Sequence, residues 1–360
     1  MRNWWNAHPS FEEPRKRMAA TPAFKETPCN KAWRLIVFTF LAFLLIQLAA
    51  LPRAASEMFT YRDKLHRTVG LKTPVKRAVI FQTYEMIPAL DIWDQVVGLG
   101  RYAYDNDLIK AIKPDIAKTI PSAGAGLDLN FEALMALKPE VIITWTVQPG
   151  VVKFLEEKGF TVISVYPDSL KELYEVMEVH GKLFGKEAQV RRCIAEMEAV
   201  FDIARERGKA LMGLPQKRVL WIGGKPTNVA CGDGLTNELI VMSGGVNVAG
   251  SLQGGNVEVS IERIVAWNPE VIFIWGHAKY QPEAILNSPQ WRFVKAVKNG
   301  NVFKAPSWNT WSPRVALLGL WMGSKIHPEL YSDLDMTAVF DAFYRNVFHI
   351  PYARIRAAHE

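Results

Sequence analysis

Apolar and polar positions run in one register through two segments 130 residues apart. The stretch from Leu129 to Trp145 recurs from Val259 to Trp275, so that Glu132 matches Glu262, Pro139 matches Pro269, Glu140 matches Glu270 and Trp145 matches Trp275. Each copy reads as a short helix closed by proline and followed by a buried apolar strand, one half of an α/β unit. Two copies imply two lobes, and a cleft between paired α/β lobes is where a ligand would sit.

The same reading extends along the chain. Residues 59–71 predict two short strands around a polar turn, and Arg77 to Gln82 the first buried strand, with further strands at Val96 to Gly98, Val141 to Trp145 and Thr161 to Val165. Ser169 to Phe184 carries its apolar residues on one helical face. A longer, polar-rich helix is predicted from about Glu187 to Ala210, long enough at ~36 Å to span both lobes. The second half opens with a strand at Arg218 to Ile222, repeats the strand signal at Val271 to Trp275 and Val302 to Ala305, and closes with helices at Val315 to Ile326 and Met336 to Phe348. The predicted division is a leader at 1–56, an N-terminal lobe at 57–185, a bridging helix at 186–212, a C-terminal lobe at 213–350 and a tail at 351–360. The expected fold class is α/β, two lobes with mainly parallel sheets joined by a single long helix.

The ends change the picture of charge and location. Leu35 to Leu51 is an apolar run broken only by Thr39 and Gln47, with Lys31 and Arg34 before it and Pro52-Arg-Ala-Ala-Ser56 after it. That is the layout of an export signal with a cleavage site at Ala54-Ala55-Ser56; an uncleaved anchor is the rival reading. The formal charge is +7, but residues 1–56 hold eight Lys/Arg against three Asp/Glu, which leaves +2 on the remaining 304 residues. The basic balance therefore gives no footprint for nucleic acid. Those 304 residues suffice for two domains with separate cores. Cys29 precedes the apolar run and cannot carry a lipid anchor after it, which points to a Gram-negative periplasm. Cys193 and Cys231 lie in separate predicted elements, either bridged or, on the favoured reading, as two buried thiols.

Tyr61-Arg-Asp-Lys-Leu-His-Arg-Thr-Val69, Lys76-Arg-Ala-Val-Ile80, the Lys138-Pro-Glu-Val-Ile142 segment, Ser312-Pro-Arg314 and His327-Pro-Glu329 together resemble the substrate-binding proteins of ATP-driven importers for iron-siderophores, haem and cobalamin, over about Glu57 to Phe348. The resemblance implies two α/β lobes on one long helix, limited hinge motion and a shallow cleft. It also implies a monomer that hands a small metal complex, with ferric siderophore as the default, to an inner-membrane permease dimer with its ATPase subunits. No resident cofactor, catalytic residue or bound metal ion is expected. By motif position, Glu132 and Glu262 correspond to the family's permease-docking glutamates. Carboxylates on rigid helix starts can pair bidentately with arginine, although a first-turn Glu behind the N-caps Asn130 and Ser260 also gains from the helix dipole alone.

Ligand contacts are expected on loops at strand ends. The candidates are Tyr84, Arg101, Tyr102, Tyr104 and Trp145, with Gln148, in the first lobe, and Lys225, Trp275, His277, Tyr280, Trp308, Asn309, Trp311 and Arg314 in the second. Flat rings suit the face of a chelate, corrin or porphyrin, and Arg and Lys suit anionic groups, molybdate or tungstate included. Trp145 and Trp275 end buried strands and read equally as core, whereas Trp308 and Trp311 stand in a polar loop and read as contacts. No His/Cys spacing for a metal ion occurs, which disfavours capture of a bare divalent cation. An exported α/β enzyme is the second class. Its glycines at Gly223-Gly224, Gly232-Asp-Gly234 and Gly254-Gly255 complete no nucleotide or hydrolase motif and read as turns. A membrane-tethered sensor or scaffold is the third, and requires the apolar run to stay uncleaved.

Overall fold

The computed structural model describes residues 57–125 and 128–356. The expected export signal, its cleavage site and Cys29 lie outside the described residues. No helix among the described residues is long and apolar enough to cross a membrane.

A hairpin of β1 (Glu57–Arg62) and β2 (Thr68–Thr73) leads into a four-stranded parallel sheet. That sheet is built from β3 (Ala78–Ile80), β4 (Val96–Leu99), β7 (Val141–Trp145) and β8 (Val162–Val165) in the order β4-β3-β7-β8, with the small pair β5 (Gly124–Ala125) and β6 (Asp128–Leu129) beside it. The second sheet comprises β9 (Lys217–Ile222), β10 (Asn228–Ala230), β11 (Gly245–Asn247), β12 (Asn256–Glu258), β13 (Val271–Ile274) and β14 (Val302–Lys304). Its order is β12-β10-β9-β13-β14, with β11 also on β9. Strands β9, β11, β13 and β14 are parallel, while β10 and β12 run antiparallel. The fold is α/β with two mainly parallel sheets.

The duplicated segments fold alike. Phe131–Leu137 is capped by the Asn130 side chain, which accepts from Ala133 N, and Ile261–Trp267 by Ser260, which accepts from Arg263 N. Each helix ends on a left-handed residue, Lys138 at φ 45° and Asn268 at φ 44°. The matched glutamates after the prolines also share a role. Glu140 accepts from Lys76 N at 2.7 Å and Glu270 from Arg218 N at 3.1 Å, while the Arg77 and Arg218 side chains bind the last carbonyls of the two helices. The sequence repeat thus fastens each helix to the first strand of its sheet.

Glu187–Gly208 runs 22 residues, about 33 Å, between the two sheets and then tightens into a 3-10 turn at Lys209–Leu211. It packs against Leu170–Phe184, Val315–Ile326 and Met336–Phe348. Helix Val315–Ile326 approaches it closely at Gly319, where an added Cβ would stand 3.2 Å from the Phe201 ring.

The expectation of two separate cores is only half met. Strand side chains alternate between faces, so Leu220 and Ile222 enter a cluster private to the second sheet while Val219 and Trp221 turn toward the helices. The first sheet divides likewise, with Val79 and Ile142 in its own cluster and Ile80 and Ile143 in the helical layer. That layer is continuous: Ile80, Phe201, Leu239 and Phe273 belong to one buried cluster. Both inner sheet faces are too apolar for water, and the shared helices cover both at once. Residues 352–355 pack on the same layer: Ile355 is buried, and the Tyr352 ring lies 5.3 Å from Phe340 and 5.2 Å from Tyr344. Cys193 and Cys231 are two free, buried thiols.

Candidate functional site

A cleft of about 380 Å³ opens where the ends of the two sheets meet. From the first lobe it is lined by Trp145 at the end of β7 and by Tyr166, Pro167 and Asp168 after β8. From the second come Trp221, the turn Gly223-Gly224, Asn228, Trp275 just after β13, and Thr310 and Trp311. Strand β7 and strand β13 carry the duplicated segment, so the repeat delivers one tryptophan to the cleft from each lobe. Asp233, Gly234 and Thr236 complete the second wall at the start of helix Leu235–Met242. Gly234 takes φ 116° there, a backbone that side chains resist. The glycine loops brace one another rather than cradle phosphate: the Asp233 carboxylate accepts from Gly254 N at 2.8 Å, and Cys231 N donates to Gly255 O. Trp311 meets Tyr166 edge to face at 4.9 Å across the lobes. The Tyr280 hydroxyl donates to Gly223 O at 2.7 Å and fixes the Gly223-Gly224 turn.

The structure corrects several expectations. Arg314 is fully buried and far from solvent. Its guanidinium forms a bidentate pair with Glu85, lies 2.8 Å from Asp107 and reaches the Tyr344 hydroxyl at 3.3 Å. The Ser312 hydroxyl and the Asn309 amide donate to the same Glu85 carboxylate, and Asn106 adds a further bond at 2.7 Å. These residues pin the first lobe to the second and leave Arg314 with no reach to a ligand. Trp308 is 3% exposed and stacks edge to face on Phe340, so it belongs to the shared core. Tyr84 is also buried, its hydroxyl pushed up to about 12 by burial and the neighbouring Glu85. Tyr104 spends its hydroxyl on Ile120 O at 2.8 Å. Arg101 and Tyr102 are exposed, Arg101 lying 3.9 Å from Asp128, and neither lines the cleft. Lys225 turns to Glu258 at 3.6 Å. His277 stacks beside Trp275, 5.2 Å between rings, outside the lining.

Of the candidates, the fold therefore gathers Trp145, Trp275 and Trp311 in the cleft. Tyr166 and Asp168, in the loop just after strand β8, join them, although no aromatic or basic cluster in the sequence singles them out. The turn after β3 is held from below. Thr83 adopts φ 60°, costly for a β-branched residue, and its hydroxyl bonds His180 Nε2 at 2.9 Å. The other ring nitrogen of His180 donates to Val176 O, and burial pushes the ring down to about 4, so it is neutral at physiological pH.

A second pin joins the lobes at the far side of the cleft, where the Glu238 carboxylate accepts from Leu170 N at 2.7 Å. That bond satisfies an open amide in the first turn of helix Leu170–Phe184. Among the described residues no group of three His, Cys, Asp or Glu side chains is placed to hold a metal ion.

Residues 81–308 match the family model described as periplasmic binding protein. The chain belongs to the periplasmic binding protein family. Among solved structures it is similar to Helicobacter pylori CeuE in a Ni-His complex, at 27% identity and TM-score 0.75 over 84% of this chain and 99% of that one. Among curated proteins it is similar to the molybdate-binding protein MolA of Haemophilus influenzae, 24% identical over 82% of this chain and 92% of MolA. It is also similar to the high-affinity haem uptake protein IsdE of Staphylococcus aureus, 23% identical over 65% and 77%. These relatives are binding proteins, and the family sets this chain among substrate-binding components of ABC importers.

Proposed function

We propose that this periplasmic binding protein captures a metal complex, with a ferric siderophore as first candidate, between its two lobes and delivers it to a membrane permease driven by ATPase subunits. The observation that carries the reading is the cleft itself, lined from both lobes by tryptophan and tyrosine, with the duplicated strands supplying a matched pair. Rings in that arrangement grip the organic shell of a complex, while among the described residues no cluster of side chains stands ready to ligate the ion. The ligands named for its relatives, Ni-His, haem and molybdate, have a metal in common. Capture involves no bond-making step. The bound complex favours closure by its differential contacts in the closed state, and the shared core and two pins keep the amplitude small. The protein works in the periplasm as a monomer, freed from or tethered by its leader. Native mass spectrometry with elemental analysis of the protein isolated from its source should show a bound metal in about stoichiometric amount; recovery with only metal-free cargo would end the reading.

Glu132 and Glu262 dock the permease in this proposal. Both are exposed in the first turn of twin helices, one from each lobe. Glu262 is held below the usual carboxylate range by its own backbone amide and Ser260, so it remains charged for a guanidinium partner. Replacing both with arginine should abolish stimulation of the transporter's ATPase while ligand affinity stays within about twofold. Undiminished stimulation would assign both carboxylates to capping alone.

A further inference from the structure

We propose that the cleft selects positively charged complexes and rejects anionic ones, an inference that rests on ligand capture in this cleft and narrows its substrate class. The rings of Trp145, Tyr166, Trp221, Trp275 and Trp311 line it together with the carboxylates of Asp168 and Asp233, and no Lys, Arg or His is among the residues lining it. All three basic side chains that the sequence offered for anionic groups are elsewhere: Arg314 is buried under Glu85, Lys225 faces Glu258, and Arg101 sits by Asp128. Lys64 stands beside the lining: its Nζ bonds both Asp168 and Glu172 at 2.7 Å, lies 5.8 Å from the centre of the Tyr166 ring and is matched by two negative charges. That trio keeps one net negative charge at the rim. Asp233 is held by a backbone amide from Gly254 and by no basic side chain. An anion would therefore enter a site with two carboxylates and five aromatic rings, where the basic group beside the lining, Lys64, is already matched by Asp168 and Glu172. A cation gains from both, since ring faces and carboxylates attract it alike.

The selectivity is conferred by the side chains and not by the fold, so it separates this chain from relatives named for molybdate. The test uses one ferric hydroxamate core with its pendant charge varied: ferric desferrioxamine B (+1), its N-acetyl form (0) and its N-succinyl form (−1), titrated by tryptophan fluorescence, beside benzyltrimethylammonium as a metal-free cation and molybdate as an anion. The cationic chelate should bind on the order of tenfold more tightly than the succinylated one. The gap should fall below about threefold in the Asp168→Asn/Asp233→Asn variant, and molybdate should not bind. Lys64→Met, which leaves Asp168 uncompensated, should widen the gap and serves if the double variant does not fold. An anionic chelate or molybdate binding as tightly as the cationic chelate overturns the charge assignment and leaves metal-complex capture standing. Binding of benzyltrimethylammonium with no chelate at any charge supports the charge assignment and removes the metal-complex reading. A gap unchanged in the aspartate variant, or no cation of either kind bound, overturns the inference.

Discussion

Replacing Arg314 with methionine should lower the unfolding free energy by about 3–5 kcal/mol in urea titrations, the usual cost of stripping one member from a buried ion pair. Arg314 is wholly buried, and Glu85, at 1% exposure, would lose its guanidinium partner. Ser312, Asn309 and Asn106 would still donate to Glu85, but three neutral donors do not replace a bidentate guanidinium. Methionine roughly fills the aliphatic volume, so the loss reports the charge and not a cavity. The companion Glu85→Leu/Arg314→Met should regain only part of the deficit, because both ions leave together while Asp107 loses its bond to Arg314 and Ser312, Asn309 and Asn106 lose their acceptor. A loss under about 1 kcal/mol in the single variant would show that the cluster does not tie the lobes.

Trp311→Ala and Trp308→Ala should fail in opposite ways, three positions apart in one loop. Trp311 lines the cleft against Tyr166, and its removal should weaken binding of ferric desferrioxamine B by about 2 kcal/mol, roughly thirtyfold, with little change in stability. Trp308 packs on Phe340 in the shared core, and its truncation should cost about 3–5 kcal/mol of stability while the affinity of the folded fraction stays within about twofold. Fluorescence titration and denaturant unfolding of both variants separate the effects. Equal losses of affinity in the two would put both rings at the ligand.

These two tryptophans mark the limit of what one sequence discloses. The duplicated register carried the helix, the proline, the strand and its terminal tryptophan, because each depends on neighbours within a few positions. It foretells β7 from Val141 to Trp145, while the separate reading of the rest of the chain foretells the long helix from Glu187 and the closing helices Val315–Ile326 and Met336–Phe348. The short antiparallel strands β10 and β12 carry no such signal, since three residues give no period to read. Arg314 and Trp308 sit among Ser, Asn and Thr, surroundings that suggest solvent. Their burial is decided by Glu85, 229 positions upstream, and by Phe340 on a later helix. Polarity in a loop is thus a local property, while inclusion in a core is a property of partners the loop cannot announce. The cleft was legible as a place, at strand ends, more than as a set of side chains. Tyr166 and Asp168 follow the rule that located the place.

A chain written twice would ordinarily be divisible. The buried layer running from Ile80 through Phe201 to Phe273 denies it that independence. Cut at the strut, either piece would present an oily sheet face to water, so inheritance, synthesis and quality control must treat the duplicated gene product as indivisible. Mutations that loosen one half are then felt as loss of the whole molecule.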